Sequence, residues 1–95
     1  MLIDTPYKVG DVVSMKLTSG EELLATLEEE KGSDYVLKKP LMLVAQQQGL
    51  GLAPFMFTAS PDAKITVGND KVVCITKTIE EMAKQYISST TGIVT

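Results

Sequence analysis

The chain has 95 residues, a length that fits one small domain, 1–95, rather than two. It carries 9 basic and 12 acidic residues for a net charge of −3; every basic residue is a lysine, histidine and tryptophan are absent, and Cys74 is the only cysteine. Without histidine, a single chain lacks the base of a Ser-His or Cys-His nucleophile, and one cysteine cannot form a tetrahedral zinc site or an internal disulfide. Without arginine, a single chain cannot hold a phosphoryl group in an arginine clamp. We therefore expect no catalytic residue, metal or cofactor, with a lysine- or carboxylate-based enzyme as the one catalytic class left open.

Residues 12–17 alternate apolar and polar side chains, which is the period of a half-buried strand. A turn follows, in which Gly20 is able to adopt a positive φ. Segment 22–30 has the composition of a helix, but turn residues on both sides of it predict the middle strand of a meander. A third strand is predicted over 35–44, interrupted by Pro40, which marks an edge position or a bulge because proline cannot donate to a ladder.

The second half of the chain is predicted to form further strands and then a helix. A polar turn at 46–49 precedes predicted strands at 51–59, 65–67 and 72–76. Thr78 and Glu81 have the spacing of a capping box, and apolar residues at i, i+3, i+4, i+7 and i+8 from Ile79 predict a helix over 79–88. The tail, 89–95, is expected to fray.

The hydropathy of the chain indicates whether it self-associates and whether it crosses a membrane. Apolar residues make up 44% of it and the mean hydropathy is +0.12. A domain this small leaves much of its surface exposed, so the apolar content indicates self-association. The longest apolar run, 41–45, is too short to span a membrane, and the first six residues do not form a secretory signal. We expect a cytoplasmic protein.

Few side chains suggest chemistry. The carboxylates at 28–30 lie on a predicted strand, where alternate residues face opposite sides, so they are expected to be solvated rather than to share an ion. Cys74 lies in an apolar run and is expected in the core. Lysines flank Tyr35 and the last two strands, and an aromatic ring beside lysines is able to stack a base while ammonium groups contact phosphate. The alternative is that these lysines only keep an amphipathic strand solvated.

Residues 12–44 resemble the first motif of the Sm/LSm family. Ser19-Gly20 ends the first turn as a similar pair does in the family, and Asp34-Tyr35-Val36-Leu37 resembles the acidic and aromatic opening of its third strand. Residues 67–69 and 72–75 resemble a degraded second motif. Val67 stands where arginine is expected, and the helix follows the strands instead of preceding them. With these departures, the chain resembles a divergent branch of the family, of the kind that bacteriophages carry.

The resemblance implies a strongly bent, five-stranded antiparallel Sm-like (SH3-like) barrel, with strands over about 12–76 and a C-terminal helix. It implies a cyclic homo-oligomer joined through edge strands, which binds single-stranded RNA or DNA without catalysis. In that role one side chain stacks a base, lysines contact phosphates and an amide reads a base edge. The residues implied are Tyr35 for stacking, Lys38, Lys71 and Lys31 for phosphate, and Asn69 for the base edge. An SH3-like barrel that acts as a protein-interaction or assembly module, without nucleic acid, remains the alternative.

Overall fold

The structure is a computed structural model, and it describes residues 7–90. Six strands and one helix form in the following order: β1 Val12–Leu17, β2 Glu22–Lys31, β3 Asp34–Gln46, β4 Gly49–Pro54, β5 Lys64–Gly68, β6 Val72–Lys77 and α1 Glu80–Thr90. One turn of 3₁₀ helix, Asn69–Lys71, joins β5 to β6. No helix within residues 7–90 is long and apolar enough to cross a membrane.

The strands form one antiparallel sheet in the order β4-β3-β2-β1-β6, and β5 pairs with β3 beside β4. This confirms a mainly β fold with a C-terminal helix, and it is compatible with a small bent barrel. The five strands that the resemblance implies are one too few, because the structure has six, the number of strand segments that the sequence pattern predicts. The sixth arises because β3 continues beyond its pairing with β2 and folds back as a hairpin with β4, which ends at Pro54 instead of Ala59.

Strand β2 confirms the prediction that its helix-prone sequence is extended. Its Leu23, Ala25 and Leu27 belong to the core cluster, together with Val13 and other side chains of β1. Leu24, on the opposite face, is also only 2% exposed. Burial on both faces, with pairing to β1 and β3 along both edges, outweighs a difference in helix propensity of a few tenths of a kcal/mol per residue.

A bulge divides β3 where the sequence places Pro40. Leu24 pairs with Leu41 and Thr26 with Lys38, so two residues of β3 oppose one residue of β2. Lys39 has a φ of 51°, the left-handed conformation that side chains other than glycine rarely adopt. The residues before the bulge pair with β5 and those after it pair with β4, so the bulge marks the change of partner along one edge of β3.

Helix α1 packs its Tyr86 onto the sheet, where this side chain is 1% exposed. The tyrosine hydroxyl accepts from the Thr26 N–H (3.0 Å) and donates toward the carbonyl oxygens of Lys38 (3.0 Å) and Lys39 (2.9 Å). These are backbone groups at the bulge, where the ladder between β2 and β3 is interrupted. The helix is therefore attached at the point where the sheet has backbone groups left to satisfy.

Three further predictions about this half of the chain are corrected. The Thr78 hydroxyl lies 2.8 Å from that of Ser14 and α1 begins at Glu80, so Thr78 is not the N-cap residue of a capping box. Cys74 is exposed, because it lies on β6 opposite Lys16 and faces away from the core. Ser89 and Thr90 are helical, and the rest of the predicted tail, 91–95, lies outside the described residues.

Candidate nucleic-acid interface

Four of the five predicted site residues lie at one end of the sheet. Lys31 pairs with Asp34 across the β2–β3 turn, and Asp34 pairs in turn with Gly68 at the end of β5. The Asn69 N–H donates to the Ser33 carbonyl oxygen at 2.8 Å, which fastens the 3₁₀ turn to the same place. The backbone positions of four predicted residues thus lie near this end, which we name the Tyr35 end: Lys31, Tyr35, Asn69 and Lys71. Because Lys31 pairs with Asp34 and Tyr35 pairs with Glu30, the Lys31 and Tyr35 side chains leave the sheet on opposite faces, beside the turn. The Lys71 carbonyl oxygen accepts from the Thr18 N–H at 2.8 Å, so this lysine also borders the turn after β1.

Lys38 lies apart from the Tyr35 end. It is three residues along β3 from Tyr35, which is about 10 Å in a strand, and successive side chains alternate between the two faces of a sheet. Tyr35 packs against the core cluster with Leu37, whereas Lys38 is opposite Thr26 on the face that α1 covers. A ligand bound to the other four residues would have to wrap around the sheet to reach Lys38.

Tyr35 is only partly available for stacking. Its side chain is half-buried against the core cluster and interacts with Tyr7, whose hydroxyl also donates to Glu30 Oε1 at 3.2 Å. The pKa of Tyr7 is raised to about 12. Burial is the largest cause, followed by the hydrogen bond and the charge of Tyr35 and then by Glu30. Tyr7 is therefore uncharged at neutral pH, and the accessible part of the Tyr35 ring is what remains for a base to contact.

The lysines of the Tyr35 end each have a carboxylate nearby. Lys31 Nζ lies 3.9 Å from Glu29 Oε1, and Lys71 Nζ lies 4.0 Å from Asp70 Oδ2. All four side chains are more than half exposed. Exposed pairs of this kind contribute about 0–1 kcal/mol, so either lysine is able to exchange its carboxylate for a phosphate at little cost. The local charge is nevertheless nearly balanced.

The carboxylates at 28–30 do not converge. Glu28 Oε2 lies 3.4 Å from Lys64 Nζ, while Glu29 and Glu30 interact with Lys31 and Tyr7. Residues 7–90 contain no group of three histidine, cysteine, aspartate or glutamate side chains that could hold a metal ion.

Sequence reasoning missed one feature, a cavity of about 590 Å³ beside the start of β5. It lies between the base of the β3–β4 hairpin, the loop 55–63 and the C-terminal end of α1, and Pro40, Phe57 and Ile65 are among its lining residues. A signal for it was present, because residues 40–61 contain no charged side chain in a chain that is 22% charged.

Neither a scan against protein-family models nor a search of curated proteins finds a match to this chain. Function is therefore argued from the geometry above.

Proposed function

We propose that the protein is a non-catalytic, Sm-like ring protein that binds single-stranded RNA or DNA at the Tyr35 end. The observation that carries the proposal is the placement of an aromatic ring, two exposed lysines and an exposed amide at one end of the antiparallel sheet. The strand order, with β5 on β3 and β6 on β1 joined by a single 3₁₀ turn, supports the resemblance to Sm-like and SH3-like barrels.

Each side chain has a distinct role in this proposal. The accessible part of the Tyr35 ring stacks a base, which contributes about 1–3 kcal/mol per base in proteins of this type. Lys31 and Lys71 exchange their weak carboxylate partners for phosphates. Asn69, whose backbone is held by Ser33, offers its side-chain amide to a base edge.

Assembly follows from two of the three strands that have one open edge among the described residues, β4, β5 and β6. Among the described residues, β5 pairs only with β3 and β6 only with β1. The middle of each edge strand, 65–67 and 73–76, has no charge or proline to discourage pairing with another chain. Pairing of β5 with β6 of the next copy is head-to-tail, so it closes a ring and repeats the Tyr35 end in every subunit.

The assembly module without nucleic acid is the second candidate. The observation that favours it is the balance of charge at the Tyr35 end, where Glu29 and Asp70 lie beside the two lysines and the whole chain has a net charge of −3. One experiment separates the two functions.

That experiment is a titration of oligo-U and oligo-A at low and moderate salt. Wild type is expected to bind at low salt and to weaken as salt rises, because phosphate contacts release counterions. Lys31→Ala and Lys71→Ala should weaken binding and flatten its salt dependence, whereas Lys84→Ala, an exposed lysine on α1, is the matched control. Tyr35→Phe should retain most of the affinity, and Tyr35→Ala should lose it with the oligomeric state unchanged. If wild type binds neither oligonucleotide at low salt, the assembly module replaces this proposal.

Cross-linking tests the ring. Antiparallel pairing of β5 with the neighbour's β6 places Thr66 near Cys74, since both residues are central and exposed on their strands. Under oxidation the Thr66→Cys variant should give a ladder of covalent multimers, because each chain then carries thiols on two different edges. Thr66→Cys combined with Cys74→Ser, which has one thiol per chain, should stop at a dimer. A ladder missing from the first variant would contradict this pairing.

A further inference from the structure

The cavity beside β5 is an open apolar groove, which we name the Phe57 groove. It is lined by residues 39–41, 54, 56–57, 59–63, 65 and 89–90. Phe57 is 81% exposed and Met56 is 44% exposed, so two large apolar side chains at this groove face solvent. Within residues 7–90 no segment of the same chain covers them. An exposed apolar patch of this kind, beside a strand that has one open edge, is typical of an interaction surface.

The corner between β6 and α1, which we name the Ile79 corner, carries another exposed apolar side chain. Ile79, between the end of β6 and the start of α1, is 64% exposed. Val73, which is 63% exposed, lies near the start of β6 and outside this corner. The Phe57 groove thus adjoins the edge strand β5, and the Ile79 corner adjoins the edge strand β6. Ile79 precedes α1, whereas Ser89 and Thr90 at the other end of this 11-residue helix line the groove, so about 16 Å of helix separates the two surfaces within one chain and they meet only between copies.

We propose that the Phe57 groove receives the Ile79 corner of a second copy of this chain. The proposal rests on the head-to-tail assembly proposed above, and it deepens it by naming the side chains that seal each joint. In the antiparallel register that places Thr66 opposite Cys74, Lys64 at the start of β5 lies opposite Thr76 of the neighbour's β6, and Ala63 lies opposite Lys77. Ile79 follows two residues later, and the loop that carries Phe57 leads directly into Lys64, so the two apolar surfaces come together.

The charges at this joint are complementary. Asp62 lines the Phe57 groove, and Lys77 ends β6; both are exposed, and neither forms an ion pair within residues 7–90. Lys64, which also lies at the joint, is already paired with Glu28 at 3.4 Å. Asp62 of one copy is therefore the carboxylate left to meet Lys77 of the next, at the rim of an apolar contact.

Two substitutions, tested alone and mixed, examine the proposal. Phe57→Glu and Ile79→Glu each place a charge in the contact, so each should raise the dissociation constant of assembly by about tenfold or more. Ile87→Glu is the matched control, because Ile87 is an exposed α1 residue outside the joint, at 48% exposure. Since the replaced side chains are exposed, the far-ultraviolet circular dichroism of the variants should stay near that of wild type, which shows that they are folded.

Mixing the two variants gives the sharper result. A Phe57→Glu chain keeps an intact Ile79 corner, and an Ile79→Glu chain keeps an intact Phe57 groove. Their mixture should therefore form a 1:1 dimer through one intact joint, measured by analytical ultracentrifugation, while each variant alone remains monomeric. Asp62→Lys and Lys77→Asp should each weaken assembly, and their combination in one chain should restore it.

The other outcomes separate this inference from the proposed function. If wild type is a monomer at micromolar concentration, the ring and the sealed joint both fail. If wild type assembles and the two glutamate variants assemble equally well, the joint alone is wrong and edge pairing stands. If both variants are monomeric and the mixture is too, the groove contacts a like surface of its partner, which overturns the head-to-tail contact.

Discussion

Removal of one oxygen atom from Tyr86 should destabilise the protein more than most surface truncations. The hydroxyl of this 1% exposed side chain uses its full capacity: it donates toward the carbonyls of Lys38 and Lys39 and accepts from the N–H and the hydroxyl of Thr26. Tyr86→Phe keeps the ring in place and leaves these groups at the β3 bulge without that partner. The same burial raises the pKa of Tyr86, as expected for a phenol held uncharged.

The magnitude follows from the groups left unpaired. An unsatisfied buried donor or acceptor costs about 1–3 kcal/mol, and water is able to reach part of this half-buried bulge, so we expect a loss of about 2–3 kcal/mol. In a domain of this size, about 1 kcal/mol lowers the melting temperature by about 4–8 °C, which gives a drop of about 10–20 °C. Tyr86→Leu should lose more, because ring packing is lost as well.

Urea unfolding at a fixed protein concentration measures the effect, since self-association itself shifts stability. The midpoint should fall while the slope m is unchanged, because the folded state keeps its extent. Gln85→Ala, at an exposed position next to Tyr86, is the matched control and should stay within about 0.5 kcal/mol of wild type. A Tyr86→Phe variant as stable as that control would show that the hydroxyl does not hold the bulge, and the reasoning would fail.

Two more predictions concern backbone strain and pH. Lys39→Val should cost about 1–2 kcal/mol in urea unfolding, because a β-branched residue at a φ of 51° is strained, whereas Lys38→Val on the preceding residue should cost less. If both variants lose the same amount, strain is not the cause. Because the pKa of Tyr7 rises from 10.0 to about 12 on folding, the stability that this proton provides is fully present below pH 10 and is lost as the pH rises toward 12. Tyr7→Phe should flatten the fall in unfolding free energy over that interval; an unchanged slope would contradict the assignment.

Strand pattern was the most predictable level of this protein. The alternation of β1 and the polar turns around β2 identify both strands, and Pro40 marks the bulge, because each of these signals acts through the local backbone. Gly20 has the positive φ that its turn position suggests, at 104°. The end of β4 was harder to predict, because the apolar residues after Pro54 do not reveal whether another strand is there to pair with them.

Side-chain surroundings were less predictable, because they depend on which segments meet. Thr78 fits a capping box by spacing, yet the nearby Ser14 hydroxyl is its partner in the folded chain. Cys74 lies in an apolar run, but β6 is an edge strand, and four of its six residues, Cys74 among them, are exposed. The separation of Lys38 from the Tyr35 end has two causes. The alternation of side chains along β3 is visible in the sequence, whereas the face of the sheet that α1 covers is not.

The division of β3 has a consequence for the order in which parts of the molecule open. Beyond Met42, β3 no longer pairs with β2, and its residues 43–46 with β4 form a two-stranded ribbon that no third strand supports. Such a ribbon is only marginally stable by itself. It can separate while β2 keeps both of its neighbours, so its amide protons should exchange with solvent long before those of Leu23–Leu27. The protein therefore combines a slowly exchanging central sheet with a flexible two-stranded ribbon, and the base of that ribbon adjoins the Phe57 groove.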